Sequence, residues 1–292
     1  FTNQLSWNVH TKKASLQAQK VLIGIFRNIR SLGDLSYTSF FKIFDVKITP
    51  ILLYGAEVWG FKNFDVIEKV HLYACKMFLG IKKNTPNAMT YGECGRFPLH
   101  ISSCIKIIKY WLRLLKMPEH RFPKKCYNMM ILYDNTGKRN WVTEVRELLF
   151  KTGYGYVWND QYVESHPAFI LSVTQRLKDM YLQTWTNSLS LSSKCFYYRM
   201  FKSHIYTEFY ITAVNVKKYR VALSRFRCSS HHLLVETGRY VSLPREQRIC
   251  TLCNSNTIED EFHFLNACPF YFELRQLLFR RVTEYDGAFF WI

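Results

Sequence analysis

The chain has 292 residues, room for two or three modest domains and more than enough to bury a core. Its 48% apolar share, with 17% aromatic, excludes an intrinsically disordered chain, and the sequence has no run of about 18 apolar residues that would span a membrane as a helix. Forty Lys and Arg against 22 Asp and Glu give a net charge of +18, which suits a polyanionic partner because neutralising phosphates releases counterions.

The positive excess is concentrated early: residues 1–130 hold 20 basic and 7 acidic side chains, residues 131–292 hold 20 and 15. Six of the nine cysteines (Cys75, Cys94, Cys104, Cys126, Cys195, Cys228) are scattered singly. That is no disulfide framework, and it points to a reducing intracellular setting, nucleus and cytoplasm, with one clustered metal site. The chain begins at Phe1 with no signal-peptide pattern and reads as a piece of something longer.

Apolar spacing is mostly helical and predicts a mainly α fold, a helical array closed by a small Cys-Cys-His-Cys module. In residues 16–29, Leu16, Val21, Leu22, Ile25, Phe26 and Ile29 fall on one helical face, with Gly33 as the stop. Residues 37–44 and 48–59 read as two further helical runs separated by Pro50, and residues 65–79 as an amphipathic helix ended by Gly80. Thr85-Pro86-Asn87 looks like a helix start, while Gly92, Gly95 and Pro98 suggest a turn-rich connector. Residues 101–115 form a clear helix, with Ile105, Ile108, Trp111, Leu112 and Leu115 on its apolar face. A softer region surrounds residues 134–137, followed by helices over 142–150 and 169–189 and a polar linker at 190–193. Only residues 238–242 and the metal turn invite a strand. Trp59 and Trp111 are expected in the core.

The metal motif is Cys250-x2-Cys253-x9-His263-x4-Cys268. Two cysteines two residues apart can face one ion from a tight turn, and the His and last Cys close a tetrahedron, so a zinc ion (Zn) is expected. Four protein ligands leave no position for a reactive water, which makes the site structural. Thr257 is the expected cap of a short helix carrying His263, and Glu259-Asp260-Glu261 a solvated helix start or an outer support for the ligands. Cys228, His231 and His232 lie upstream, but the compact set needs none of them.

Order adds specificity. ILLYGAEVWG (51–60), KVHLYACKMFLGI (69–81) and TPNAMTYGECGRFPL (85–99) are followed by GYGYVWNDQ (153–161) and QRLKDMYLQTW (175–185). YRMFK (198–202), HHLLVETGRY (231–240) and RICTLCNSNTIEDEFHFLNACPFY (248–271) complete the series. This series resembles the C-terminal region of reverse transcriptases of non-LTR (LINE-type) retrotransposons, over nearly the whole chain. The resemblance implies a thumb-like helical segment after the polymerase palm (residues 1–100), a helical linker domain (101–203), and a basic segment with a zinc-knuckle-like module (204–292). It further implies that these parts help hold template RNA or target DNA beside an upstream polymerase domain. The family's polymerase motif, an aromatic residue, any residue and two Asp, is missing, since the sequence contains no Asp-Asp pair. The chain is therefore expected to be non-catalytic.

Two basic sets suit phosphates. Lys217, Lys218, Arg220, Arg225 and Arg227 are interleaved with Tyr219 and Phe226 just before the metal motif, an arrangement fit for backbone binding and base stacking. Arg225 and Arg227 could instead brace Glu236. Lys106, Lys109, Arg113 and Lys116 share one face of the helix over 101–115. Lys12, Lys13 and Lys20 near the start, Lys82 and Lys83, and Arg275, Arg280 and Arg281 after the last ligand are secondary candidates. The competing reading is a zinc-stabilised protein-interaction module packing against a polymerase or another partner.

Overall fold

The structure is a computed structural model that describes residues 6–32 and 34–286, with side chains described for 6–28 and 34–282. Phe1 and Gly33 lie outside the described residues. The molecule is mainly helical, 69% helix. No strand occurs among the described residues, which hold only two isolated bridges, Cys94 to Thr207 and Ile249 to Ile258.

Helix α1 (Asn8–Leu32) is buried through Ala14, Ala18 and Leu22. Leu16 and Val21, expected on that face, are exposed. The small Ala residues form the contact ridge and leave the larger side chains outside. Helix α2 (Tyr37–Ile43), capped by Ser36, runs through a π turn (Phe44–Ile48) directly into α3 (Thr49–Leu52). Pro50 does not separate two helices: it sits in the first turn of α3, and the wider π turn just ahead of it accommodates the ring and the missing N–H. After Gly55 at φ 67° comes the short α4 (Ala56–Trp59).

Helix α5 (Asp65–Leu79) ends at Gly80, φ 66°, and together with α3 it packs on α1. Helix α6 (Asn87–Cys94) follows Pro86, and Gly92 lies inside it rather than in a connector. A Cβ at Gly92 would collide with the Tyr198 hydroxyl and come within 3.1 Å of Trp185, so glycine here permits close packing. Helix α7 (Leu99–Leu115) stops ahead of Pro118. Next comes α8 (Phe122–Asn135), a helix that the apolar pattern does not mark. Then come α9 (Trp141–Lys151), opened by an Asn140–Thr143 capping box, α10 (Gly155–Asp160) and the 26-residue α11 (His166–Leu191). Short helices α12 (Tyr198–Phe201) and α13 (Phe209–Ala213) lead to α14 (Lys217–Arg227). Residues 238–242 form turns after α15 (Leu234–Thr237), not a strand, and α16 (Phe272–Asp286) follows the metal motif.

Two apolar clusters fill the body. The first joins α1 to α6 with Trp185, Leu189, Tyr198, Ile211 and Cys228. The second joins α7 to α10 with Phe169 and Val173. Helix α11 contributes its first half to the second cluster and its second half to the first. Trp59 belongs to the first and the fully buried Trp111 to the second. Trp111 donates to the Tyr127 hydroxyl at 2.9 Å, which satisfies its buried N–H.

Candidate metal centre and cationic surfaces

From residue 248 to 282 the only buried residues are Arg248, Cys250, Glu261, His263 and Cys268. No aliphatic or aromatic side chain is buried there. The segment is organised instead around sulfur and imidazole.

Residues 249 and 258 pair antiparallel, and Cys250 N–H donates to the Thr257 carbonyl at 2.9 Å, which closes the loop carrying Cys253. Asn256 turns that loop at φ 51°. Asp260, not Thr257, caps the helical turn: its carboxylate accepts from His263 N–H at 2.9 Å. His263 opens a π turn (His263–Ala267), and Cys268 N–H donates back to the His263 carbonyl at 2.7 Å. The wide turn brings residues 263 and 268 to the same side, and Pro269 ends it.

The ligand atoms of Cys250, Cys253, His263 and Cys268 lie within 4.8 Å of one another, so the four could hold one metal ion. His263 Nδ1 is 2.9 Å from the Thr257 hydroxyl and its Nε2 is 3.4 Å from Cys253 Sγ. With Nδ1–H donating to Thr257, Nε2 keeps its lone pair for the centre. The Ser255 hydroxyl, 2.9 Å from Cys253 Sγ, is the main cause that holds this thiol down at about 6. Burial pushes Cys250 the other way, upward. Cys228 is fully buried in the first core cluster and takes no part.

The acidic triplet is not a solvated helix start: Asp260 supports the ligand His263, and all three residues fasten the module to the body. Glu259 accepts from Leu234 N–H at 2.8 Å, and Asp260 accepts from the Tyr197 hydroxyl at 2.6 Å. Glu261 is buried, 2.9 Å from both Ser229 Oγ and His231 Nε2. Burial opposes its charge, but the His231 contact, together with a backbone N–H and the Ser229 hydroxyl, holds the carboxyl below its usual range. His232 is exposed.

The first cationic set divides. Arg220 is buried, pairs with Asp34 and stacks on Phe78, and Lys217 approaches the same Asp34 at 3.5 Å. Arg227 donates to Glu93 at 3.0 Å, pairs with Glu208 at 2.9 Å and lies against Phe201 and Tyr210. Arg225 donates to the Gly80 carbonyl at 2.7 Å. Arg220 and Arg227 are thus occupied inside the fold, and neither arginine 225 nor 227 braces Glu236, which pairs with Lys194 and Arg239. Lys218 and the ring of Tyr219 face solvent, whereas Phe226 packs on Phe264. In the second set Lys106 donates to the Leu53 carbonyl at 2.9 Å, while Lys109 and Arg113 on α7 and Lys116 at its C-terminal cap are exposed. Of the secondary candidates, Lys82 donates to the His231 carbonyl and Arg275 caps the Leu265 and Cys268 carbonyls.

A cleft with no signal in the sequence opens between α4, α7, α8 and α9, about 990 Å³ in volume. Its rings come from Trp7, Phe61, Phe64, Tyr110, Phe122 and Trp141, spread over 135 residues, so no local pattern announces it. No helix is long and apolar enough to cross a membrane among the described residues. No protein-family model, no curated protein and no solved structure matches the chain.

Proposed function

We propose that this chain is a non-catalytic, nucleic-acid-binding region of a LINE-type retrotransposon reverse transcriptase, with a structural zinc ion stapling its C-terminal module. It holds template RNA or target DNA and packs beside the polymerase domain that performs the chemistry. The observation that carries the reading is the row Lys109, Arg113 and Lys116 on α7, open to solvent and in no ion pair of the described residues, in a chain of net charge +18. Such a row neutralises successive phosphates along one strand. The ordered motif series supports the family.

Zinc is the metal favoured by the donors. Three thiolates and one imidazole are soft ligands that disfavour magnesium and calcium, and the tetrahedral set leaves no open position. A tetrahedron with metal–sulfur bonds of about 2.3 Å has edges near 3.8 Å, so ligand atoms already within 4.8 Å need only a small contraction.

The test is binding to single-stranded RNA and DNA as salt rises. Three or four phosphate contacts give a log–log slope of roughly −2 to −3 for a single strand. Affinity independent of salt contradicts the reading. A second reading, a protein-docking module, is favoured by exposed Phe270, Phe272, Leu274 and Leu277 beside the metal loop. It predicts a protein partner retained at high salt with no bound nucleic acid.

A further inference from the structure

From Leu252 to Val282 every large apolar side chain is exposed or half-buried. Helix α16 carries several of them, and the element it packs on is the short turn 269–271. Its inner side is set by Arg275, which caps the Leu265 and Cys268 carbonyls, and by the half-buried Phe279 one turn on. At about 100° per residue, Leu277, Leu278 and Arg281 lie within about 60° of Leu274, on the side turned away from Phe279. Leu274, Leu277 and Leu278 are 65%, 48% and 47% exposed. Leucines at i, i+3 and i+4 make the seam of a two-helix coiled coil, and here the seam has no second helix.

The charges beside the leucines select the partner. Glu273 and Arg280 are exposed and in no ion pair among the described residues. Both stand on the edge of the stripe away from Arg275, about 100° and 120° round the helix from Leu274. They are about 10 Å apart along the axis, too far to pair within one helix. Turning a second copy antiparallel about Leu277 and Leu278 lays the two edges together. Glu273 of each chain then comes level with Arg280 of the other to about 3 Å along the axis, within reach of both side chains. Two symmetry-related ion pairs form at once. Arg281 falls beside Leu274 of the other copy, where its stem covers the leucine and its charge stays in water. A helix of another sequence could cover the leucines, but this edge is complementary to itself.

We infer that two copies of this chain pair through antiparallel α16 helices, with Leu274, Leu277 and Leu278 at the seam and Glu273 of each chain joined to Arg280 of the other. This goes beyond both readings above: the partner is the chain itself, and no nucleic acid is needed. One helix from each chain buries less than a standard interface of about 1,600 Å², so the pair is weak and forms at high protein concentration. Pairing puts two chains of net charge +18 on one polyanion, which strengthens binding without a new contact.

The test is sedimentation equilibrium of the zinc-loaded full chain, cleared of nucleic acid, over roughly a hundredfold range of concentration. The mass is expected to climb from one chain towards two. Leu277→Gln is expected to weaken pairing by roughly tenfold or more, because each dimer loses two buried leucines. That position is exposed in the single chain, so the fold survives the change, as circular dichroism will report. Glu273→Arg and Arg280→Glu are each expected to weaken pairing severalfold, and the double variant to restore it. Loss of a first-turn acid also loosens α16, but only a pair between chains is repaired by the second change. One chain per particle at every concentration overturns the proposal and leaves the leucine face to a different protein. A dimer that Leu277→Gln leaves as tight as before overturns it too, since the contact then lies elsewhere. A double variant as weak as the single ones overturns the antiparallel register. The nucleic-acid reading stands or falls separately, on the salt dependence of strand binding.

Discussion

Arg227 lies between the rings of Phe201 and Tyr210 and reaches Glu93, whose residue has no exposed surface. Replacing Arg227 with alanine leaves that carboxylate buried without its paired guanidinium, beside the hydroxyls of Tyr210, 2.6 Å away, and Tyr198. The expected loss is on the order of 3 kcal/mol, read as a lowered midpoint in urea, whereas Lys218→Ala on the exposed face changes stability by less than about 0.5 kcal/mol. The pairing spans 134 positions, which is why a basic run in the sequence looks free when two of its arginines are not. Glu68 shows a second buried charge. Burial opposes its ionisation, but His71, Tyr91 and the Leu99 N–H together hold its carboxyl below the ordinary range. A carboxyl depressed in the folded state adds stability above its unfolded pKa, and that stability is lost as pH falls. The acid limb of unfolding is therefore expected to steepen below about pH 4.3, and Glu68→Gln to flatten it while lowering stability at neutral pH. An unchanged acid limb in that variant would contradict the assignment.

The helices most legible in the sequence are those with a single apolar stripe and a clear stop. Helix α5 ends at Gly80 and α7 halts before Pro118, both as the spacing predicts. Helix α8 escapes the pattern because only Lys124 and Tyr127 are buried on it, too few for a stripe. In α6 the helix-breaking reputation of glycine misleads. Gly92 is there because α6 presses on Tyr198 and Trp185, a contact made with elements 90 or more residues away. Gly92→Ala is expected to cost about 1–3 kcal/mol by forcing those rings aside, although alanine is the better helix former. A gain in thermal stability would show that the close approach is not what the glycine serves. The metal quartet is legible for the opposite reason: all four ligands fall within 19 consecutive residues, so spacing alone brings them together. Its cap is not legible that way, since Thr257 turns toward His263 Nδ1 and leaves the backbone N–H to Asp260.

At the scale of the whole molecule, two kinds of cohesion divide the chain. The body is held by two apolar clusters that share α11. Among the described residues the segment from 248 to 282 buries no aliphatic or aromatic side chain and depends on its ligand set and on the Glu259, Asp260 and Glu261 anchors. A metal ion there would contribute roughly 10 kcal/mol or more to the order of that segment. The body should stay folded without it. Native mass spectrometry of the purified chain, beside a Cys253→Ser variant, tests this most directly. The account predicts one zinc per chain, absent from the variant, with hydrogen exchange accelerating from about residue 248 onward and unchanged in α5 and α7. A fully protected C-terminal segment in a metal-free protein would contradict it.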